Sequence, residues 1–173
     1  ISFYSYVNEY FSKRSGHFTP SLQVSELGMK LLGPIKQGVY VPFTNSFSYI
    51  HYTDKNIFSE SKMLENEFWA EVINILGNGN LVHHSTDPLR YPSFNEGNSS
   101  DTLIQYEKVL SFPPFGLKDK LNPHDDKFHR FNFFRGSNLD IAHMEHVLSQ
   151  TKSKAVILMP VGFTFRGSME ERC

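Results

Sequence analysis

The chain has 173 residues, 39% of them hydrophobic, with 16 Phe, 8 Tyr and a formal net charge of -1. That length corresponds to one domain able to bury a core, and the aromatic content excludes a disordered or low-complexity chain. The near-neutral balance excludes a global basic field, so any nucleic-acid contact must come from a local patch such as Lys118, Lys120, Lys127, Arg130 and Arg135. The one cysteine, Cys173, cannot form an internal disulfide and fits a reducing compartment. No apolar run approaches the roughly 18 residues of a membrane span and no signal peptide is visible, so a soluble, cytoplasmic protein is expected. The first residue is Ile, which points to an excerpt of a longer protein.

Taken in order, Phe3, Tyr6, Val7, Tyr10 and Phe11 recur near helical spacing and predict an N-terminal helix over about 1–14. Gly16-His-Phe-Thr-Pro20 ends it, and Ser21 is a candidate N-cap for a helix over 22–32. Gly38-Val-Tyr-Val-Pro-Phe43 reads as the first sheet strand, with a loop over 44–48 at its carboxyl end. Residues 50–58 read as a weaker second strand, ending near Glu60. Phe68, Trp69, Val72, Ile73 and Leu76 give an amphipathic helix over 65–76, stopped by Gly77 and Gly79. Residues 81–84 read as a third strand, followed by Thr86-Asp-Pro-Leu89 and a polar loop over 92–101.

Residues 108–111 form a short apolar strand that Pro113 and Pro114 stop, since neither can donate to a sheet ladder. Phe115 and Gly116 then put a ring and a flexible hinge just past the strand's carboxyl end, where open α/β sheets bind ligands. Residues 118–137 are long and irregular, a length uncommon in a compact domain unless functional. Asn138 caps a helix to about 150, and 154–159 is a fifth strand. The alternation predicts an α/β fold, a doubly wound, mostly parallel sheet in a single domain spanning 1–173.

Other constellations carry less chemistry. His143 and His146 share a predicted helix face beside Asp140, but no third ligand stands at matching spacing, so no metal site is expected. His83 and His84 on a strand point to opposite faces. Ser46 and Ser111 lack a base and an oxyanion motif, and Gly77-Asn-Gly-Asn80 is a turn with no Lys-Ser/Thr after it.

Phe112-Pro-Pro-Phe115 resembles the Asn/Asp/Ser-Pro-Pro-aromatic motif of amino-methyltransferases. The order of motifs along the chain is similar to that of the modification subunit of type I restriction-modification systems, the adenine-N6 DNA methyltransferases. Phe18-Thr19-Pro20 resembles the family's Phe-Tyr-Thr-Pro segment, and Val39-Tyr-Val-Pro-Phe-Thr-Asn-Ser-Phe-Ser48 its Val-Tyr-Asp-Pro-x-Cys-Gly-Ser-Gly-Ser loop. Phe58-Ser-Glu60 is similar to Gly-Gln-Glu, and Thr86-Asp-Pro-Leu89 to Gly-Asp-Ser/Thr-Leu. Phe128-His-Arg-Phe131, Asp140-Ile-Ala-His-Met-Glu-His146 and Gly162-Phe-Thr-Phe-Arg-Gly167 resemble its later segments.

The resemblance implies a Rossmann-like S-adenosylmethionine-dependent methyltransferase fold that stops after its fifth strand, which would then be left as an edge. It implies a cofactor site of Phe18, Thr19, Pro20, Val41, Pro42, Asn45, Phe47, Glu60 and Asp87, with Glu60 on the ribose and Asp87 on the adenine. It implies a catalytic set of Phe112, Pro113, Pro114 and Phe115, with Phe115 stacking on an adenine flipped from the duplex and the Pro113 carbonyl accepting an N6 hydrogen. Four positions depart from the family. Phe112 replaces an Asn that accepts the other N6 hydrogen, Asn45 and Phe47 replace glycines, and Val41 replaces an Asp near the cofactor's amino group. The expectation is therefore a catalytically impaired domain that binds DNA or the specificity and restriction subunits of a type I-like complex. The alternative is a working adenine-N6 methyltransferase.

Overall fold

A computed structural model of the chain describes residues 19–44, 46–77, 79–97 and 100–164. The segment predicted as an N-terminal helix lies outside them, as do Phe18 and Asn45. Helix α1 is Leu22–Leu32, and the Ser21 side chain accepts from the Val24 amide as its cap. Its inner face carries Ser25, Gly28, Met29 and Leu32, a 3.6-residue spacing. Gly28 sets how close α1 lies to the sheet. A Cβ there would stand 2.8 Å from Leu110 Cδ1 and 3.4 Å from Phe112 Cζ.

Five parallel strands follow: β1 (Val39–Pro42), β2 (Ile57–Glu60), β3 (Leu81–His84), β4 (Tyr106–Ser111) and β5 (Thr151–Ile157). Their order is β3-β2-β1-β4-β5, so the chain reverses direction across the sheet between β1 and β4. Helix α2 (Glu65–Leu76) links β2 to β3 and α3 (Asp140–Ser149) links β4 to β5. The predicted α1, α2 and β3 match the observed bounds. The second strand starts later than expected, because Ile50–Tyr52 is a 3-10 turn closed by the Ile50 and Tyr52 amides on Phe47 O and Tyr49 O. Helix α3 starts at Asp140, whose amide donates to Asn138 Oδ1 at 3.1 Å.

A buried parallel sheet needs cover on both faces. On one face, α1 and α2 pack with Val39, Val41, Ile57, Leu81, Leu110 and Phe112. Among the described residues of 43–56 no α-helix links β1 to β2, and there Phe47 and Tyr49 fill the layer with their own rings. On the other face, Tyr40 stacks on Tyr106 at 4.9 Å, and Phe94 meets Tyr40 edge-on at 5.6 Å. Helix α3 and the 128–139 segment close that layer.

The irregular 118–137 segment is ordered by buried charge. Glu145 on α3 accepts from the amides of Asn132, Phe133 and Phe134 at 2.6–2.9 Å. Arg130, expected on a basic surface patch, is 5% exposed. Its guanidinium pairs with Asp126 at 2.8 Å and donates to Pro88 O and Leu89 O at 2.8 and 2.6 Å. It also reaches His146 Nδ1 at 2.6 Å, and His146 Nε2 lies 2.9 Å from Tyr40 Oη, which donates to Glu60. Glu60 Oε2 in turn accepts from the Ser93 amide and the Thr86 hydroxyl at 2.9 and 3.2 Å. One chain of hydrogen bonds thus fastens α3 to β1, β2 and the loop after β3.

Two outcomes follow from these buried groups. Removing the cation in Arg130→Met strands the Asp126 carboxylate in the core, and urea denaturation should show a loss of about 3–5 kcal/mol. The pH dependence is set by three buried imidazoles. Burial holds His83 and His143 down to about 4 and pushes His146 well below its usual 6.5. As pH falls from 6.5 toward 4 the unfolded chain takes up protons that these folded histidines refuse, so folding stability is lost on acidification. Glu60, raised by burial, works in the opposite direction, but it is one group against three. The urea midpoint should therefore drop between pH 7 and pH 5, and a midpoint that rose would contradict the arrangement.

Candidate functional site

The carboxyl ends of β1 to β4 open onto a cavity of about 300 Å³, at the lower bound of roughly 300–1,000 Å³ for small-molecule sites. Each wall follows a strand. Phe43 comes from the end of β1, Ser61, Lys62 and Met63 from β2, Asp87, Leu89 and Arg90 from β3, and Pro114, Leu117, Lys118, Asp119 and Leu121 from β4. Leu139 and His143 close it from the α3 side. Phe43 takes a left-handed φ of 61° to turn the chain there. The loop after β3 is held from behind by Arg130, and Gly116, at a φ of 64°, donates its amide to Asp140.

The rim is charged. Lys62 pairs with Asp87 at 3.1 Å, and Arg90 meets Asp119 at 2.8 Å and Asp87 at 3.7 Å. Arg90 also donates to Lys120 O. These pairs are solvent-facing and contribute at most about 1 kcal/mol each. Their role is to set the polarity of the mouth.

The residues expected at a site separate into two groups. Asp87 and Pro114 line the cavity, and Phe115 is half-buried just beyond Pro114. Thr19 and Pro20 sit ahead of the α1 cap, Pro20 buried. Val41, Pro42 and Pro113 are buried. Phe47 and Phe112 are 2% and 3% exposed and belong to the core under α1 and α2, with the Phe47 ring 5.6 Å from His83. Glu60 is 0% exposed, with both carboxylate oxygens already accepting from Tyr40, Thr86 and Ser93. The hydroxyls of the β1 loop are likewise engaged. Thr44 donates to Ser46 O, and Ser46 lies 3.1 Å from Ser48, which bonds Ser25.

On the roles that the resemblance implies for them, these residues do not fit a ligand with a ribose and an amino-acid tail. A ribose hydroxyl could reach Glu60 only by displacing bonds from the protein's own interior, and the methionine end would meet the Phe47 ring and a loop whose polar groups face one another. Sequence reasoning missed Phe43, Lys62 and Arg90, and it weighed His143 only as a metal ligand. Lys62 and Arg90 fall just past predicted strand ends, and that position was an available signal. Nothing local places His143 at the cavity, where α3 sets its ring 4.6 Å from that of Phe43.

A five-stranded, doubly wound parallel sheet with these strand ends has solved counterparts. The methyltransferase subunit of a type I restriction-modification system from Streptococcus thermophilus is 21% identical with a TM-score of 0.68, covering 89% of this chain and 36% of that one. A structure from work on complex assembly and conformational transition of the type I system is 16% identical with a TM-score of 0.63, covering 88% and 34%. TrmN from Thermus thermophilus is 14% identical with a TM-score of 0.56, covering 88% and 42%. The chain thus spans about a third of the length of the two type I chains. No curated protein matches the sequence. The common architecture is the Rossmann-like S-adenosylmethionine-dependent methyltransferase fold. A family model described as N-6 DNA Methylase matches residues 2–173 from end to end, and the chain belongs to that family.

Proposed function

We propose that residues 1–173 act as one methyltransferase-like domain that has given up methyl transfer and serves in the cytoplasm as a binding module for DNA or for partner subunits. One observation carries this reading: Phe47 and Phe112 are both core residues, 2% and 3% exposed, at the positions where the family resemblance puts the donor loop and the N6 acceptor. A Phe cannot accept a conventional hydrogen bond from N6. Loss of one such preorganised group typically lowers a rate by about 10²–10³. Glu60 supports the same conclusion, since its carboxylate is spent on internal partners. No helix among the described residues is long and apolar enough to cross a membrane.

The DNA-facing side of the reading rests on Lys118, Lys120, Lys127 and Arg135, all exposed, with Arg130 removed from the patch by its burial. Phe115, half-buried beside the cavity, keeps a ring near the mouth. The partner side rests on the likeness to a type I methyltransferase subunit, of which this chain covers only 36%. Specificity and restriction subunits of a type I-like complex are the corresponding partners.

Calorimetric titration with S-adenosylmethionine should give no binding at micromolar ligand, and labelled donor should leave unmethylated DNA unlabelled. Micromolar binding or methylated adenine would return the domain to the active class. A Phe47→Gly, Phe112→Asn variant tests the cause. Because both rings are core, it should lose several kcal/mol, about 3–5 per ring, without gaining transfer. Charge removal in Lys118→Gln, Lys120→Gln and Lys127→Gln should weaken DNA binding in a low-salt gel shift. The log-log salt slope should flatten by about 0.9 per lost phosphate contact, and an unchanged slope would take DNA off this patch.

A further inference from the structure

Helix α2 is apolar on two sides, and the fold uses one of them. Its sequence reads as an apolar set of Phe68, Trp69, Val72, Ile73 and Leu76, yet the residues it buries against the sheet are Asn66, Ala70 and Ile73. At about 100° per residue, Leu64, Phe68 and Ile75 fall within about 40° of one another on the opposite side. They are 76%, 61% and 80% exposed, and half-buried Val72 continues their row. A contiguous row of large apolar side chains in water marks an interaction surface, unlike a lone exposed leucine. The flank beside this row is acidic. Glu67 and Glu71 stand one turn apart, α2 contains no Lys or Arg, and neither carboxylate joins an ion pair among the described residues. Glu67 lies in the first turn, where the helix dipole favours an anion. Glu71 lies past that turn and repels Glu67 across it.

We infer that this outward face of α2 docks a basic amphipathic helix presented by another polypeptide. Apolar side chains one turn apart on that helix pack on Leu64, Phe68 and Ile75, and its Lys or Arg residues lie beside Glu67 and Glu71. Charge selects this occupant. A second copy of the chain would bring another helix with acids and no base, and a nucleic acid would be repelled by the same carboxylates. Geometry selects a helix over an extended strand, because the anchors recur at the helical period and the α2 backbone offers no open edge for strand addition. The apolar row supplies buried area, and the acidic flank fixes orientation and partner choice. None of Leu64, Glu67, Phe68, Glu71 or Ile75 lines the strand-end cavity. The inference rests on the partner-binding part of the function proposed above and names its surface.

Two labelled synthetic helices of about 18 residues, long enough to hold a helix in water, test it on the whole chain. Both carry one leucine stripe and no Trp; one has lysines along its flanks and the other glutamates. Fluorescence anisotropy should show the lysine helix binding at least about tenfold more tightly. The chain's one tryptophan, Trp69, lies 5.5 Å from the Phe68 ring, so its emission should shift as the site fills. Phe68→Ser and Ile75→Ser should each weaken the lysine helix about tenfold and leave the urea midpoint unchanged, since both side chains are already in water. Glu67→Lys with Glu71→Lys should reverse the preference between the two probes. No binding of the lysine helix at about 1 mM, or a preference that survives the charge reversal, would overturn the assignment. So would a urea midpoint that falls in Phe68→Ser, which means the chain itself covers the face, or a self-association that Phe68→Ser removes, which means a second copy does. S-adenosylmethionine titration in parallel separates the readings. Donor binding would defeat the loss of methyl transfer, whereas failure of the helix probes alone would leave that loss standing.

Discussion

A guanidinium held in the interior is the constraint on which the rest of this structure depends. Arg130 cannot lose its proton, so its burial is tolerable only if every donor finds an acceptor. Asp126 supplies the opposite charge, and Pro88 O, Leu89 O and His146 supply the remaining acceptors. These acceptors come from three parts of the chain. The result is that the loop after β3, the irregular segment before α3 and α3 itself are positioned together, and the cavity wall at Asp87–Arg90 inherits its geometry from a residue that never touches the cavity.

The same network explains why Glu60 is not at the mouth. With Arg130 donating to Nδ1, a neutral His146 carries its proton on Nε2 toward Tyr40, and Tyr40 donates to Glu60. A carboxylate at the end of β2 is in this way drawn beneath the sheet's aromatic layer. Burial then raises its pKa, the opposite of what an exposed ligand-binding carboxylate would feel.

On the other face the controlling fact is how the chain crosses from β1 to β2. Among the described residues of 43–56 the crossing between parallel neighbours holds one 3-10 turn, and Phe47, Tyr49 and Phe112 complete the layer over β1 beside α1 and α2. Those rings stabilise the sheet by burying apolar area, about 25 cal/mol per Å², and in doing so they occupy the space behind the β1 loop. The family fold accommodates these rings because it depends on the sheet and its covering layers, whatever fills them.

The sequence by itself determined the elements with strong local signals. Ser21 before an apolar 3.6-residue repeat, Glu65–Leu76 ended by glycine, and the tandem proline after β4 all read correctly, because capping, periodicity and a missing amide donor act over a few residues. It also carried the order of motifs by which the family was legible. Which way the Phe47 and Phe112 rings turn, that Arg130 lies inside, that Glu60 is spent on Tyr40, and that His143 reaches the cavity were decided only by the tertiary structure. These are pairings between residues as many as 106 positions apart. No local pattern encodes such a pairing, since its free energy exists only once the sheet has brought the partners together and excluded water from between them.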